Sequence, residues 1–393
     1  MVELLAPAGN LEKLKYAIYY GADAVFIGGK SFSLRAHASN FTKEDMIKAS
    51  NFVHEHGKKL YITTNVIPHH ADMDGIYEYL KELEEVKVDG IITASPSIID
   101  IALKKTNLEV HISTQQSAMN TNTVNFWHDK GATRVVLARD LTLDEIKDIK
   151  NEVKAEIEIF IHGGMCAGYS GRCSLSNHLT NRDANRGGCA HTCRWIYDLV
   201  KAQKEKVAED FTIQSKDLSS LSIIPELIDL KIDSLKIEGR MKSLHYVATV
   251  VKTYRMLIDE YLENGFIKDY SFYAKQLEKA ENRPSSIGFF KGLPTKDEQL
   301  FVSDKTPLRQ NFVGIVKSYD KKTTLATIET RNVININDEL EIFSPREDDF
   351  TFINKEMYDL NDNPITRAYI PKSLIKIKVS EKVYPNDLVR ITL

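Results

Sequence analysis

Gly21-Ala-Asp-Ala-Val25 is echoed three times further along the chain, as Val88-Asp-Gly-Ile91, Gly131-Ala-Thr-Arg-Val135 and Ile232-Asp-Ser-Leu235. In these phrases a glycine or small polar residue ends one helix-length amphipathic stretch, and a short run rich in Val and Ile begins. Working outward, runs of this kind predict strands at Glu3–Ala6, Ala24–Ile27, Lys59–Thr64, Gly90–Thr93, Glu109–Ser113, Arg134–Leu137, Glu156–Ile161 and Ser234–Ile237. Apolar spacing near 3.6 predicts helices at Leu11–Tyr20, Lys43–Glu55, Asp74–Glu85, Pro96–Lys104, Thr121–Lys130, Leu143–Val153 and Leu244–Asn264, with Thr142 and Glu145 as a capping box. A recurring βα unit favours an α/β fold of the (β/α)8 TIM-barrel type over an open doubly wound sheet.

The chain, at 393 residues, is too long for one ordinary core. We expect a barrel-like catalytic domain over 1–268, interrupted after the seventh strand by an insertion at 163–230 that holds a hairpin, Trp195–Val200 with Phe211–Ser215, and a short helix. A Pro- and Gly-containing segment then reads as an extended linker within 269–310. From 311 to 393, short alternating strands separated by turns such as Asp320-Lys-Lys-Thr and Asn361-Asp-Asn-Pro predict a small antiparallel β-barrel.

Hydrophobic and charged fractions of 42% and 27% are those of a soluble globular protein, and a formal net charge of −3 gives no polyanion-binding surface spread over the whole chain. Any nucleic-acid site must be a local patch. The N-terminal residues show no basic segment followed by an apolar run, and no stretch of about 18 consecutive apolar residues occurs, so neither a signal peptide nor a membrane span is expected. The expected compartment is the cytoplasm, where thiols stay reduced. Four cysteines confined to a 28-residue stretch there read as metal ligands rather than a disulfide framework.

Those cysteines are Cys166, Cys173, Cys189 and Cys193, separated by six, fifteen and three residues in a glycine-rich loop. Four soft thiolates suit Zn²⁺ or a 4Fe–4S cluster. Zinc sites favour paired C-x2-C knuckles, which are lacking, and the uneven spacing favours iron–sulfur. A catalytic thiolate with His162, His178 or His191 as its base is the alternative, and it leaves three cysteines unexplained. Active sites of (β/α)8 proteins form at the C-terminal strand ends. There the eighth strand delivers Lys236, Glu238, Arg240 and Lys242, the fifth Ser113, Thr114 and Gln115, the third Asn65, and the sixth Arg139 followed by Asp140. The loop after the second strand adds Arg35, His37 and Asn40.

Catalytic candidates are Glu238, Lys236, His162 and Asn65, and substrate-binding candidates are Arg35, Arg139, Gln115, Arg240 and Lys242. Each also has a plainer reading: Glu238 paired with Arg240 or Lys242, Asn65 capping a turn, His162 a satisfied core histidine. Together the Arg and Lys residues would make a cationic mouth suited to a carboxylate or phosphate. His111 and Trp127 read as packing residues.

The stretch Glu158-Ile-Phe-Ile-His-Gly-Gly-Met-Cys-Ala-Gly-Tyr-Ser-Gly-Arg-Cys-Ser-Leu-Ser176 resembles the signature of the peptidase U32 family, also called collagenase-like. Leu4-Leu-Ala-Pro-Ala-Gly-Asn10, Ser234-Leu-Lys-Ile-Glu-Gly-Arg-Met-Lys-Ser243 and the Arg283-Pro segment resemble the family's longer bacterial members, so the resemblance covers essentially the whole chain. Ser285-Ser-Ile-Gly-Phe departs from an expected Thr-Thr-Gly-Phe. The resemblance implies RNA hydroxylation rather than proteolysis: conversion of the tRNA wobble uridine to 5-hydroxyuridine, dependent on prephenate, with an iron–sulfur cluster on the four cysteines. It also implies tRNA as partner, and a paralogous family member as a possible second partner. Peptide cleavage is the alternative activity, but it would need an open zinc or an activated nucleophile, and no H-E-x-x-H pairing occurs in the chain.

Overall fold

The computed structural model describes residues 2–33, 40–201, 206–280, 283–302 and 310–392. It divides into two units: Met1–Ala274 with Arg283–Lys305, and Lys275–Asn282 with Thr306–Leu393.

The first unit contains seven parallel strands in succession: β1 (Glu3–Pro7), β2 (Ala24–Gly28), β3 (Lys59–Thr64), β4 (Gly90–Thr93), β5 (Glu109–Ile112), β6 (Arg134–Val136) and β7 (Glu156–Gly163). Three insertion strands follow, β8 (Tyr197–Val200), β9 (Lys206–Ser215) and β10 (Asp217–Ser219), before the eighth barrel strand, β11 (Ser234–Ile237). Because β11 pairs in parallel with both β1 and β7, the sheet closes. The (β/α)8 barrel expected from the alternation is the one observed, and every barrel strand ends within two residues of its expected position.

Helices α1 (Leu11–Tyr19), α2 (Lys43–Glu55), α3 (Ile76–Glu85), α4 (Pro96–Lys105), α5 (Thr121–Asp129) and α6 (Leu143–Glu152) connect successive strands. Short α7 (Leu175–Thr180) and α8 (Ile224–Asp229) lie in the insertion, and α9 (Leu244–Asn264) follows β11. The capping box at α6 is formed in both directions, Thr142 accepting from the Glu145 amide and the Glu145 carboxylate from the Thr142 amide at 2.8 Å.

The repeated entry phrase has a mechanical role. Asp23, Asp89 and Asp233 each stand just before a strand and accept the first amides of the neighbouring strand, from Leu4 at 3.0 Å, Leu60 at 2.7 Å and Ile157 at 2.7 Å. Their own amides donate back to the same residues' carbonyls at 2.9, 2.9 and 3.1 Å. Thr133 ties the neighbouring strand from one side only, donating to the Val110 carbonyl through both its amide and Oγ1. A strand end that would leave an N–H unpaired is thus closed by the next unit, which sets the register around the barrel.

In the insertion, β8 and β9 form the expected antiparallel hairpin. The far edge of β9 takes β13 (Gln299–Val302), while β10 bridges β7 and β12 (Ser285–Ser286). The stretch read as a linker therefore contributes α10 (Tyr270–Glu278) and two strands, and Arg283–Lys305 belongs to the first unit. Its Pro and Gly content indicates extended backbone but not the open sheet edges that take it up.

The second unit is antiparallel: β14 (Gln310–Asp320), β15 (Leu325–Thr330), β16 (Ile334–Asn335), β17 (Glu339–Phe343), β18 (Phe350–Ile353), β19 (Met357–Tyr358), β20 (Arg367–Ala368), β21 (Leu374–Lys378) and β22 (Leu388–Thr392). Seven of these make one sheet, ordered β18-β17-β22-β14-β15-β21-β19, a half-barrel over a core that includes Val316, Ile328, Leu340, Ile377 and Val389. Within it Glu341 accepts from Arg390 at 2.9 and 3.1 Å and from Lys279 at 2.7 Å, and the guanidinium lies 3.9 Å over the Phe343 ring. Among the described residues no helix is long and apolar enough to cross a membrane.

Candidate active site at the barrel mouth

A cavity of about 210 Å³ is lined by residues from the C-terminal ends of the barrel strands and from the insertion. Thr63 and Lys236 line it from within β3 and β11, while Asn65, Ser113, Thr114, Gln115, Glu238 and Arg240 line it from the segments that leave the strand ends. Phe26, Ile92, Val136 and Phe160 supply the apolar lining, and Arg139 joins from the loop after β6.

Most cations here are already engaged. Lys236, 3% exposed, donates to the fully buried Glu158 at 2.7 Å and lies 4.5 Å from the Phe26 ring centre. Glu158 also accepts from Arg134 at 3.3 Å. Burial would push its carboxyl up, but Lys236 and Arg134 outweigh that and hold it below the ordinary range. Arg240 donates to Ser33, Thr63 and Asn40, each at 2.9 Å, and a Cβ at Gly28 would collide with its guanidinium. Arg139 donates to the Gly164 carbonyl at 2.6 Å and stacks 4.2 Å from the Phe160 ring. The mouth read from sequence as a cationic receptor for an anion is thus largely a set of cations bonded to protein acceptors.

Among the described candidates, His162, Lys242 and Cys193 do not line the cavity. His162 is 2% exposed, with Nδ1 3.3 Å from the Tyr254 hydroxyl of α9 and its ring against Tyr246. The cause is a register shift between β7 and β11: Phe160 pairs with Lys236, yet His162 pairs with Ile237, so one extra residue reverses the alternation after Phe160. Burial, with help from Lys242 and against Glu238, pulls the His162 pKa down to about 3. His162 thus lies buried between β7 and α9. Lys242 stands 3.7 Å from Asp217 and 4.9 Å from the Tyr246 ring. Arg35 and His37 lie outside the described residues.

The insertion brings Cys166, Cys173 and Cys189 to the cavity wall, with His191 beside them. All four cysteines are free thiols. Burial pushes the Cys193 thiol up, Arg194 opposes, and the charges of Cys166, Cys189 and Cys173 add to the rise, so Cys193 lies within electrostatic reach of the other three. Among the described residues, no three His, Cys, Asp or Glu side chains are gathered so as to hold a metal ion.

Hydrogen bonds tie this loop down. Asp140 accepts from the Ser170 amide at 3.2 Å and hydroxyl at 2.6 Å, and Asn185 donates to the Cys173 carbonyl at 3.2 Å. Ser176 Oγ accepts from the Ala190 amide at 3.0 Å, and Arg186 pairs with Asp72 at 2.6 Å. At the loop's start Gly163 adopts φ +107, and a Cβ there would stand 2.6 Å from the Glu238 carbonyl.

Sequence reasoning missed Thr63, Arg194 and Arg283. Thr63 was accessible by the two-residue period from Asn65. Arg194 and Arg283 approach Gly164 from the insertion and from the stretch read as a linker, and Arg283 is anchored by Asp217 and Gln214. No local pattern signals that convergence.

The family model described as "Peptidase family U32" matches residues 9–300, and that of its C-terminal domain matches 309–390. The chain belongs to peptidase family U32. Among U32 relatives, it is 46% identical to "tRNA hydroxylation protein P1" of Bacillus subtilis, over 99% of this chain and 94% of that one. It is 33% identical to "tRNA hydroxylation protein P" of Escherichia coli, over 88% and 86%. It is 29% identical to "Collagenase" of Porphyromonas gingivalis, over 98% and 96%.

Proposed function

We propose that this U32 chain modifies RNA, hydroxylating the wobble uridine of tRNA to 5-hydroxyuridine in the cytoplasm, with a 4Fe–4S cluster on Cys166, Cys173, Cys189 and Cys193 and prephenate as small-molecule co-substrate. The observation that carries the reading is the arrival of three free thiols at a cavity made by the strand ends. Relatives named for tRNA hydroxylation, matching nearly end to end, support the substrate class.

By donor chemistry the set suits such a group, four soft thiols carried on one loop. When bound, the cluster supplies electron transfer, which side chains alone cannot provide for inserting oxygen at an unactivated pyrimidine carbon. Phe26, Ile92, Val136 and Phe160 exclude water from the base. To Glu238, on the cavity wall, we assign a proton-accepting position beside the base, and to Asn65 and Gln115 the orientation of the ring; the oxygen atom and the two-electron oxidant that balance the hydroxylation come from outside the chain. Arg139, fixed on Gly164, holds the start of the cysteine loop, and Arg194 offers local positive charge for RNA phosphate despite the acidic chain.

The test pairs nucleoside mass spectrometry of tRNA from a deletion strain with anaerobic purification of the chain. Expected are loss of 5-hydroxyuridine in vivo, absorbance near 400 nm with about four irons per chain, and loss of that absorbance in Cys173→Ser. Adding prephenate or a related U32 chain should restore turnover to any preparation that holds iron but is idle. Normal 5-hydroxyuridine in the deletion strain, together with peptide cleavage that survives Cys→Ser changes, would transfer the assignment to the peptidase alternative.

A further inference from the structure

Gln115 lines the cavity, is 3% exposed, and its Nε2 has no hydrogen-bond partner among the described residues. Its Oε1 accepts from Asn65 Nδ2 at 3.1 Å and from Ser113 Oγ at 3.0 Å. In this arrangement both neighbours donate to the oxygen, and the amide N–H groups are left without an acceptor among the described residues. A buried donor in that condition is costly unless a ligand completes it. The charged donors around it are engaged, Lys236 on Glu158, Arg139 on Gly164 and Arg240 on Ser33, Thr63 and Asn40. What remains is a neutral N–H in a cavity also lined by Phe26 and Phe160, which suits the carbonyl of a neutral heteroaromatic ring better than a carboxylate.

We propose that Gln115 reads the 4-carbonyl of the uracil ring and sets uracil over cytosine. Uracil presents an acceptor at that position and cytosine an amino donor, so cytosine would meet Gln115 donor against donor. C4 is bonded to C5, so the same hydrogen bond positions the carbon that is hydroxylated. This rests on the reading that the substrate is uridine in RNA; Gln115 is a positioning and specificity residue within it.

The experiment uses the full chain and two anticodon stem-loop RNAs that differ only in U or C at the wobble position. Binding is followed by fluorescence anisotropy and product by mass spectrometry. The wild type should prefer the U stem-loop by about tenfold or more. Gln115→Glu keeps the acceptor for Asn65 and Ser113 but replaces the donor with an acceptor, and should abolish or invert the preference. Gln115→Met should level it.

A ligand-side arm needs no variant: 4-thiouridine at the wobble position, a poorer acceptor, should bind the wild type about tenfold more weakly. A Gln115→Glu protein with unchanged melting temperature and the wild-type U/C ratio overturns the assignment. So do variants that change only prephenate affinity, or a wild type that uses U and C equally. A wild type that neither binds nor hydroxylates either RNA instead removes the functional reading beneath it.

Discussion

Replacing Lys236 by Met removes the ammonium that contacts Glu158 at 2.7 Å and leaves that carboxylate, at 0% exposure, with Arg134 at 3.3 Å. Arg134 cannot compensate fully, because it also serves Glu3 at 2.6 Å and Glu156 at 2.8 Å. Breaking a buried pair by removing one partner costs about 3–5 kcal/mol. The cost has a ceiling, because Glu158 can escape by taking a proton. From an unfolded pKa of about 4.3, that costs about 1.4 kcal/mol per pH unit, or roughly 3.7 kcal/mol at pH 7 and about 1 kcal/mol at pH 5. Lys236→Met should therefore lose about 3–3.7 kcal/mol at pH 7, and the deficit should shrink to about 1 kcal/mol at pH 5.

The direction follows from the two proteins. In the wild type Glu158 is held low, so its contribution is present above about pH 4.3 and is lost only as pH falls through the lower folded value. In the variant Glu158 is raised, and the penalty fades as pH falls toward 4.3. Urea denaturation at both pH values is the assay, and the double variant Lys236→Met with Glu158→Gln should recover most of the loss, since no unpaired carboxylate remains. A deficit equal at pH 5 and pH 7, or a double variant as unstable as the single, would refute the reasoning.

His162 is neutral in the fold with its pKa pulled down to about 3, against about 6.5 unfolded. Stability should therefore fall as pH drops from about 6.5 toward 3, and His162→Phe, which keeps a ring against Tyr246 and Tyr254, should flatten that slope in urea melts at pH 4.5 and 7.5. In the second unit, burial pushes Glu341 up, but Arg390 and Lys279 outweigh it and hold it below its ordinary range, so its stabilisation is present above about pH 4.3 and lost below. Glu341→Ala removes the carboxylate that the fully buried Arg390 and Lys279 share and should cost about 3–5 kcal/mol, read as faster amide exchange in β17 and β22 of the full chain; protection equal to the wild type would contradict this.

The amino-acid sequence by itself determined the barrel, because each βα unit carries its own period, its own terminators and, at Asp23, Asp89 and Asp233, its own staple to the neighbouring strand. It also determined that the mouth is built where the strands end, since Asn65, Ser113, Gln115, Glu238 and Arg240 stand at or just beyond the ends of the strands read from it. Tertiary structure alone decided the exceptions. One bulged residue in β7 sends His162 toward α9 instead of into the cavity, and bulges arise from pairing with a distant strand rather than from local composition. Which cations are spent on protein partners, and that Gln115 keeps a donor in reserve, depend on hydrogen bonds between residues up to 207 positions apart, which no local pattern encodes.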